Sequence, residues 1–278
     1  MTHPQPVELH GGLANQRLSG FSVQEFIAKT LVAAELDIRK LRHDPFQLMM
    51  RAVQPVVWLI IFGQVFTEVR GISTGDLPYL DFMTPGILAQ SVLFLSVFTG
   101  LLVIWEKDLG ILHKLMVSPA PKSALVLGKA IGAGVRCLSQ VIVIYAVSIL
   151  LGVNLNWHPV ALLGVASIVM LGAASFSTLS LMVACWAQTH ERVVGAGQLM
   201  TMPLFFASNA IYPISIMPPW LQMLSRINPL TYMVDALRSL MLVSQVAEYG
   251  LLLDFSVLIG LTAILTAACG QLYPRLVQ

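Results

Sequence analysis

Charge is what this sequence has least of. It holds 16 Lys and Arg and 14 Asp and Glu in 278 residues, 11% charged, where a soluble domain typically carries about 25%. That scarcity excludes an ordinary soluble domain. A net charge of +2, with no basic cluster interleaved with aromatics, excludes nucleic acid as a partner. Cysteine is scarce too, with three in the chain. Cys137, Cys185 and Cys269 are odd in number, far apart and set in apolar runs, which provides neither a disulfide framework nor metal-ligand spacing. Residues 1–20 are rich in Pro, Gly, Gln and His and lack the apolar core of a cleavable signal peptide. They are expected to be a disordered cytoplasmic tail, with the first apolar span acting as the insertion signal.

Catalytic signatures are missing as well. Gly128-Lys129 lacks the upstream glycine of a phosphate-binding loop and is followed by Ala130, so ATP hydrolysis by this chain alone is excluded. His190-Glu191 has no second histidine at zinc-protease spacing, and no Gly-x-Ser-x-Gly elbow occurs. His113 reads as a surface residue. Intramembrane enzymes and ion-coupled carriers keep ionisable residues within their spans. Here Asp254 stands alone near one span end and Glu68 flanks another.

What is present is hydrocarbon: 56% hydrophobic residues and a mean hydropathy of +0.78. Six spans are predicted, at about 52–69, 82–104, 125–151, 159–186, 193–211 and 251–272. Before them, residues 21–50 place Ile27, Leu31, Ala34, Ile38 and Leu41 on one helical face. This predicts an amphipathic helix on the membrane surface, or one packed on a soluble partner. Between spans five and six, Pro213, Pro218, Pro219 and Pro229 forbid a continuous helix. Two short helices dipping into the outer face are expected, with a seventh span as the alternative. If both termini are cytoplasmic, 13 of the 16 Lys and Arg residues fall inside, as the positive-inside rule requires. Trp105 and Trp186 then mark the inner interface and Trp157 the outer.

One charged island interrupts the apolar runs: Glu106, Lys107, Asp108, Lys114 and Lys122. A single charge at the bilayer centre costs roughly 2.5–3.5 kcal/mol on insertion scales, so this stretch must meet water or protein. A bundle with no energy source of its own and one compact charged element suggests energy supplied by a partner.

Glu106-Lys107, Gly110, Leu115, Val117-Ser118-Pro119 and Gly128-Lys129 resemble the signature of ABC-2 type exporter permeases, most closely the daunorubicin-resistance type. Asn228-Pro229-Leu230-Thr231-Tyr232 resembles that family's second hallmark, and the likeness extends from about residue 22 to 272. The resemblance implies an all-α integral membrane fold: six transmembrane helices, an N-terminal amphipathic interfacial helix, a cytoplasmic coupling helix and an outer re-entrant segment before the last span. It makes 51–278 the transmembrane domain and 105–122 the coupling segment. Glu106, Lys107, Leu109, Gly110, Ile111, Lys114 and Leu115 would dock on a separate ABC ATPase subunit, which would carry ATP and magnesium; this chain would bind no cofactor and no metal. Glu106 would be a charged pivot, paired with Arg or Lys of a neighbouring inner segment.

The resemblance further implies a translocation path along spans two and five, between two permease copies that form a homodimer. Phe94, Phe98, Met200, Met202, Phe205, Phe206 and Asn209 are its candidate lining, with Gln90, Gln198, Thr201 and Ser208 able to hydrogen-bond cargo or a neighbouring helix. The implied activity is export of a drug-like or lipid-like compound across a bacterial cytoplasmic membrane. A lipid-linked polysaccharide or lipid exporter of the same family is the alternative, and a non-transporting scaffold or membrane enzyme is a remote one.

Overall fold

The structure is a computed structural model that describes residues 27–32, 34–35, 45–69, 77–112, 121–187, 189–243 and 247–273. The α-helices whose bounds lie within the described residues are, in order, α1 (Pro45–Val69), α2 (Tyr79–Asp108), α3 (Lys122–Leu150), α4 (Pro159–Ala187), α5 (His190–Phe206), α6 (Pro219–Ile227), α7 (Pro229–Met241) and α8 (Leu251–Leu272). Among the described residues the only β-pairing is a single bridge, Leu155 to Leu242. By length and composition, α2, α3, α4 and α8 can each cross a membrane, and Met50–Phe66 of α1 forms a shorter apolar stretch.

Helix α4 is the hub, packing on α2, α3, α5, α7 and α8. Its middle supplies the reason. Gly172, Ala173, Ala174, Ser175, Ser177 and Ser180 are small and buried, so neighbouring backbones approach closely, as small residues permit in membrane bundles. Their hydroxyls are satisfied locally or across the contact. Thr178 Oγ1 donates to the Ala174 carbonyl at 2.7 Å, Ser175 Oγ lies 2.7 Å from Thr262 Oγ1 of α8, and Ser180 Oγ accepts from Gly100 N of α2 at 3.1 Å. Around this hub Ile87, Leu88, Val92, Ile168, Phe176, Met233 and Leu237 close the main core.

Several boundaries differ from those expected. The fifth predicted span, 193–211, is helical only to Phe206. Residues 207–212 turn instead, because the Ala210 backbone lies against α2 at Gly86, where a Cβ would come within 2.2 Å of the Ala210 carbonyl oxygen. The second span, expected to end at 104, continues as helix through Asp108. Helix α1 begins at Pro45, so residues 45–50, expected to close the interfacial helix, instead open the first apolar helix. Residues 27–32 and 34–35 are helical. There Ile27 and Leu31 are exposed while Thr30 and Ala34 are buried, so the packed face is rotated to one side of the predicted apolar stripe. Ile38, Leu41 and the 1–20 tail lie outside the described residues.

The region before α8 forms short helices: a 3-10 turn at Ile214–Ile216, then α6 and α7. At 1.5 Å per residue α7 is about 20 Å long, too short for a hydrocarbon core of about 30 Å.

Candidate functional site

Helices α2 and α3 share one end of the bundle, where the charged island lies. Its expected docking helix, Glu106–Leu115, does not begin at Glu106. Trp105–Asp108 is the last turn of α2, stopped by Leu109 N donating to the Trp105 carbonyl at 2.9 Å and Gly110 N to that of Lys107 at 2.9 Å. Gly110 takes φ +70°, the left-handed conformation that ends helices and that glycine adopts without strain. Helical residues Ile111 and Leu112 follow. This turn leaves Leu109 74% exposed and buries Leu112 against Val103, Ile104, Leu125 and Val126. Asp108 Oδ2 lies 2.6 Å from His190 Nε2 at the start of α5, and Trp105 packs near the His190 ring with centroids 6.0 Å apart. Lys114, Leu115, His113 and Val117-Ser118-Pro119 lie outside the described residues.

Glu106 points inward. It is 8% exposed, and its Oε2 receives Lys129 Nζ of α3 at 2.5 Å, with Lys129 itself buried. The periodicity of α2 explains this: Trp105, Asp108 and Leu109 face out while Val103, Ile104 and Glu106 face the packed side. A charge pair removed from water needs such close geometry to offset desolvation.

Beside this end, α1, α2 and α5 enclose a cavity of about 390 Å³ whose floor reaches α3. Arg51 and Gln54 come from α1, Gln90, Phe94 and Phe98 from α2, Gln198 and Thr201 from α5, and Gln140 from α3. The Arg51 guanidinium stands 4.8 Å over the Phe98 ring, a cation–π contact. One turn further along α1, Trp58 meets Phe205 of α5 edge-on at 6.2 Å, joining the two helices where the cavity stops. Of the candidate path residues, the structure brings Phe94 and Phe98 together here. Phe205 is a core side chain, and Met202 and Phe206 face outward. Met200 is half-buried outside the cavity. Asn209 is buried at the opposite end, where its carbonyl accepts from Arg238 at 2.8 Å. Gln140, Arg51 and Gln54 carried no distinguishing signal, since lone amides and a positive-inside arginine are ordinary in such sequences.

At the opposite end, the second motif forms a corner. Asn228 caps α7 by accepting from Leu230 N at 3.0 Å, and its Nδ2 donates to the Leu204 carbonyl of α5 at 2.6 Å. Pro229 occupies the first helical turn, where its missing N–H costs nothing. Tyr232 Oη donates to the Arg226 carbonyl at 2.6 Å and its ring packs on Tyr249 at 5.3 Å. Arg238 of α7 lies 3.9 Å over the Phe82 ring. Burial lowers its guanidinium to about 10, opposed by Asp235 and Glu248, so it is cationic at neutral pH. Among the described residues no cluster of three or more His, Cys, Asp or Glu could hold a metal.

The family model of ABC-2 type transporters matches residues 29–242. The chain belongs to the ABC-2 type transporter family. As an ABC-2 type permease it is a multi-pass membrane protein and a transport subunit rather than an enzyme, and its family works with an ABC ATPase subunit. Relatives agree. The transport permease ycf38 of Cyanophora paradoxa is 29% identical over 82% of this chain and 82% of its own length. The daunorubicin resistance ABC transporter permease protein DrrB1 of Streptomyces coeruleorubidus is 26% identical over 86% of each chain. The inner membrane transport permease YadH of Escherichia coli K12 is 26% identical over 67% of this chain and 73% of its own.

Proposed function

We propose that this permease is the membrane subunit of an ATP-driven exporter that moves hydrophobic or amphipathic compounds, drug-like or lipid-like, out of the cytoplasm or inner leaflet. It acts as a homodimer with two ATPase subunits that carry ATP and magnesium, in a bacterial cytoplasmic membrane with both termini inside. On this reading α1 and α5 join α2, α3, α4 and α8 as the six spans, and the α2–α3 end faces the cytoplasm.

The observation that carries the reading is the exposed apolar turn at Leu109, fixed through Gly110 to a helix end that is locked to α3 by the buried Glu106–Lys129 pair. An apolar knob on a braced helix end is suited to receive a push from a soluble partner and pass it to two helices at once. The ATPase docks on Leu109, Ile111 and the residues that follow; Glu106 and Lys129 transmit. Phe94 and Phe98 lie along α2 beside the cavity, where helix movement would change access to cargo.

Leu109→Asp places a charge in the proposed contact without touching the core. It is expected to lower copurification of the ATPase at least tenfold and to abolish export, while the permease stays monodisperse. Full export by this variant, with a cysteine at position 109 failing to crosslink to any ATPase in cells, would overturn the docking role.

A further inference from the structure

We propose that the cavity between α1, α2 and α5 selects neutral, hydroxyl- or amide-bearing apolar molecules through the side-chain amides of Gln90 and Gln140. The proposal rests on the exporter reading only in taking this cavity as a place that cargo visits. Its volume, about 390 Å³, lies in the range of small-molecule sites.

Gln140 is 1% exposed and Gln90 4%. Both atoms of the Gln140 amide, and Oε1 of Gln90, have no hydrogen-bond partner among the described residues. Other hydroxyls on the wall are already bonded: Ser91 Oγ donates to the Ile87 carbonyl at 2.8 Å and Thr201 Oγ1 to that of Gly197 at 2.9 Å. The amides are therefore the cavity's unmet polar capacity, and buried polar groups in folded proteins are rarely left so.

The chemistry of that capacity defines the ligand. Two amide oxygens accept and one amide nitrogen donates. A ligand hydroxyl or amide matches such a set, because it both donates and accepts. A carboxylate or phosphate matches these two amides poorly, since it would face two acceptor oxygens; the Arg51 guanidinium on the same wall is set over the Phe98 ring. A pure hydrocarbon would leave every amide atom unpaired, which is the strongest ground on which a polar site rejects a near-isostere. The side chains of Phe94, Leu95 and Phe98 supply apolar wall, so the ligand is mostly hydrocarbon with one buried polar group.

The test uses two fluorescent probes of similar size, 9-anthracenemethanol and 9-methylanthracene. Each is titrated against the purified full chain in lipid nanodiscs, with empty nanodiscs correcting for partition. The hydroxylated probe is expected to bind at least tenfold more tightly than the methyl probe. Gln140→Leu should bring the two within about twofold without weakening the methyl probe, Gln90→Leu should narrow the gap, and Val194→Trp should block both by filling the cavity. If Gln140→Leu is not monodisperse, Gln90→Leu carries the comparison. Equal binding of the two probes, as when water alone satisfies the amides, overturns the proposal. So does binding of neither, or a hydroxyl preference that survives both glutamine substitutions. No ATP or ATPase enters this measurement, so its failure leaves the exporter reading to the Leu109 experiment.

Discussion

The two ends of the bundle both bury charge, and they hold it differently. At the α2–α3 end Glu106 and Lys129 neutralise each other side chain to side chain. At the opposite end the Arg238 guanidinium donates to the main-chain carbonyls of Asn209 at 2.8 Å and Phe82 at 3.4 Å. There the neighbouring Asp235 carboxylate accepts from the backbone N–H groups of Glu248 and Tyr249 at 3.0 and 2.9 Å. Two flexible side chains can keep their contact while their helices shift by an ångström or so. A guanidinium bound to two fixed carbonyls cannot follow such a shift without losing a bond. The difference marks one end as a joint and the other as an anchor, which suits a permease driven from one side.

The largest effect should come from breaking the joint by one half. Glu106→Ala leaves Lys129 buried without its carboxylate and is expected to cost about 3–5 kcal/mol, whereas removing both charges as Glu106→Leu with Lys129→Leu should be close to neutral. Thermal unfolding of the purified protein reads both. The double variant should fold yet export poorly, and a double variant as unstable as the single one would mean that the pair is not a separable unit.

The anchor is the next to test. Arg238→Met removes one close bond made by a charged donor, worth about 1.5–3 kcal/mol, together with a long one at 3.4 Å that adds little. It is expected to lower the melting temperature of every preparation, with or without the ATPase. Loss of export at unchanged melting temperature would place Arg238 in the transport step and erase the contrast between the ends.

The smallest effect belongs to the corner. Asn228→Ala loses the α7 cap and the link to α5, about 1–2 kcal/mol, while Asn228→Ser keeps a cap acceptor without the amide donor and should recover roughly half. Hydrogen exchange at the Leu230 amide should read the cap, and the part of the melting temperature that the conservative variant does not recover should read the link to α5.

Much of this arrangement was open to a reader of the sequence. The four helices long and apolar enough to cross a membrane announced themselves because hydrocarbon runs of that length have few alternatives, and the prolines around 213–229 forced short helices wherever the chain went. The charged island, the Asn228-Pro229 corner and Gln90 and Gln198 were visible as residue types. Their directions were not. The resemblance made Glu106 both a docking residue and a pivot paired with some Arg or Lys of an inner segment; helix α2 runs one turn longer than its apolar stretch, turns that carboxylate inward and pairs it with a lysine 23 positions away. Phe205 and Phe94 look alike in sequence, and packing sends one into the core against Trp58 and the other to a cavity wall.

The sequence by itself determined that the chain is a helical membrane bundle, because composition and local period are properties of the chain alone. Only the tertiary structure decided that Lys129 is the partner of Glu106, that Asn209 serves the anchor, and that Gln140 faces a cavity with its amide unmet. Partnership is set by helices distant in sequence, and no local rule records which neighbour arrives.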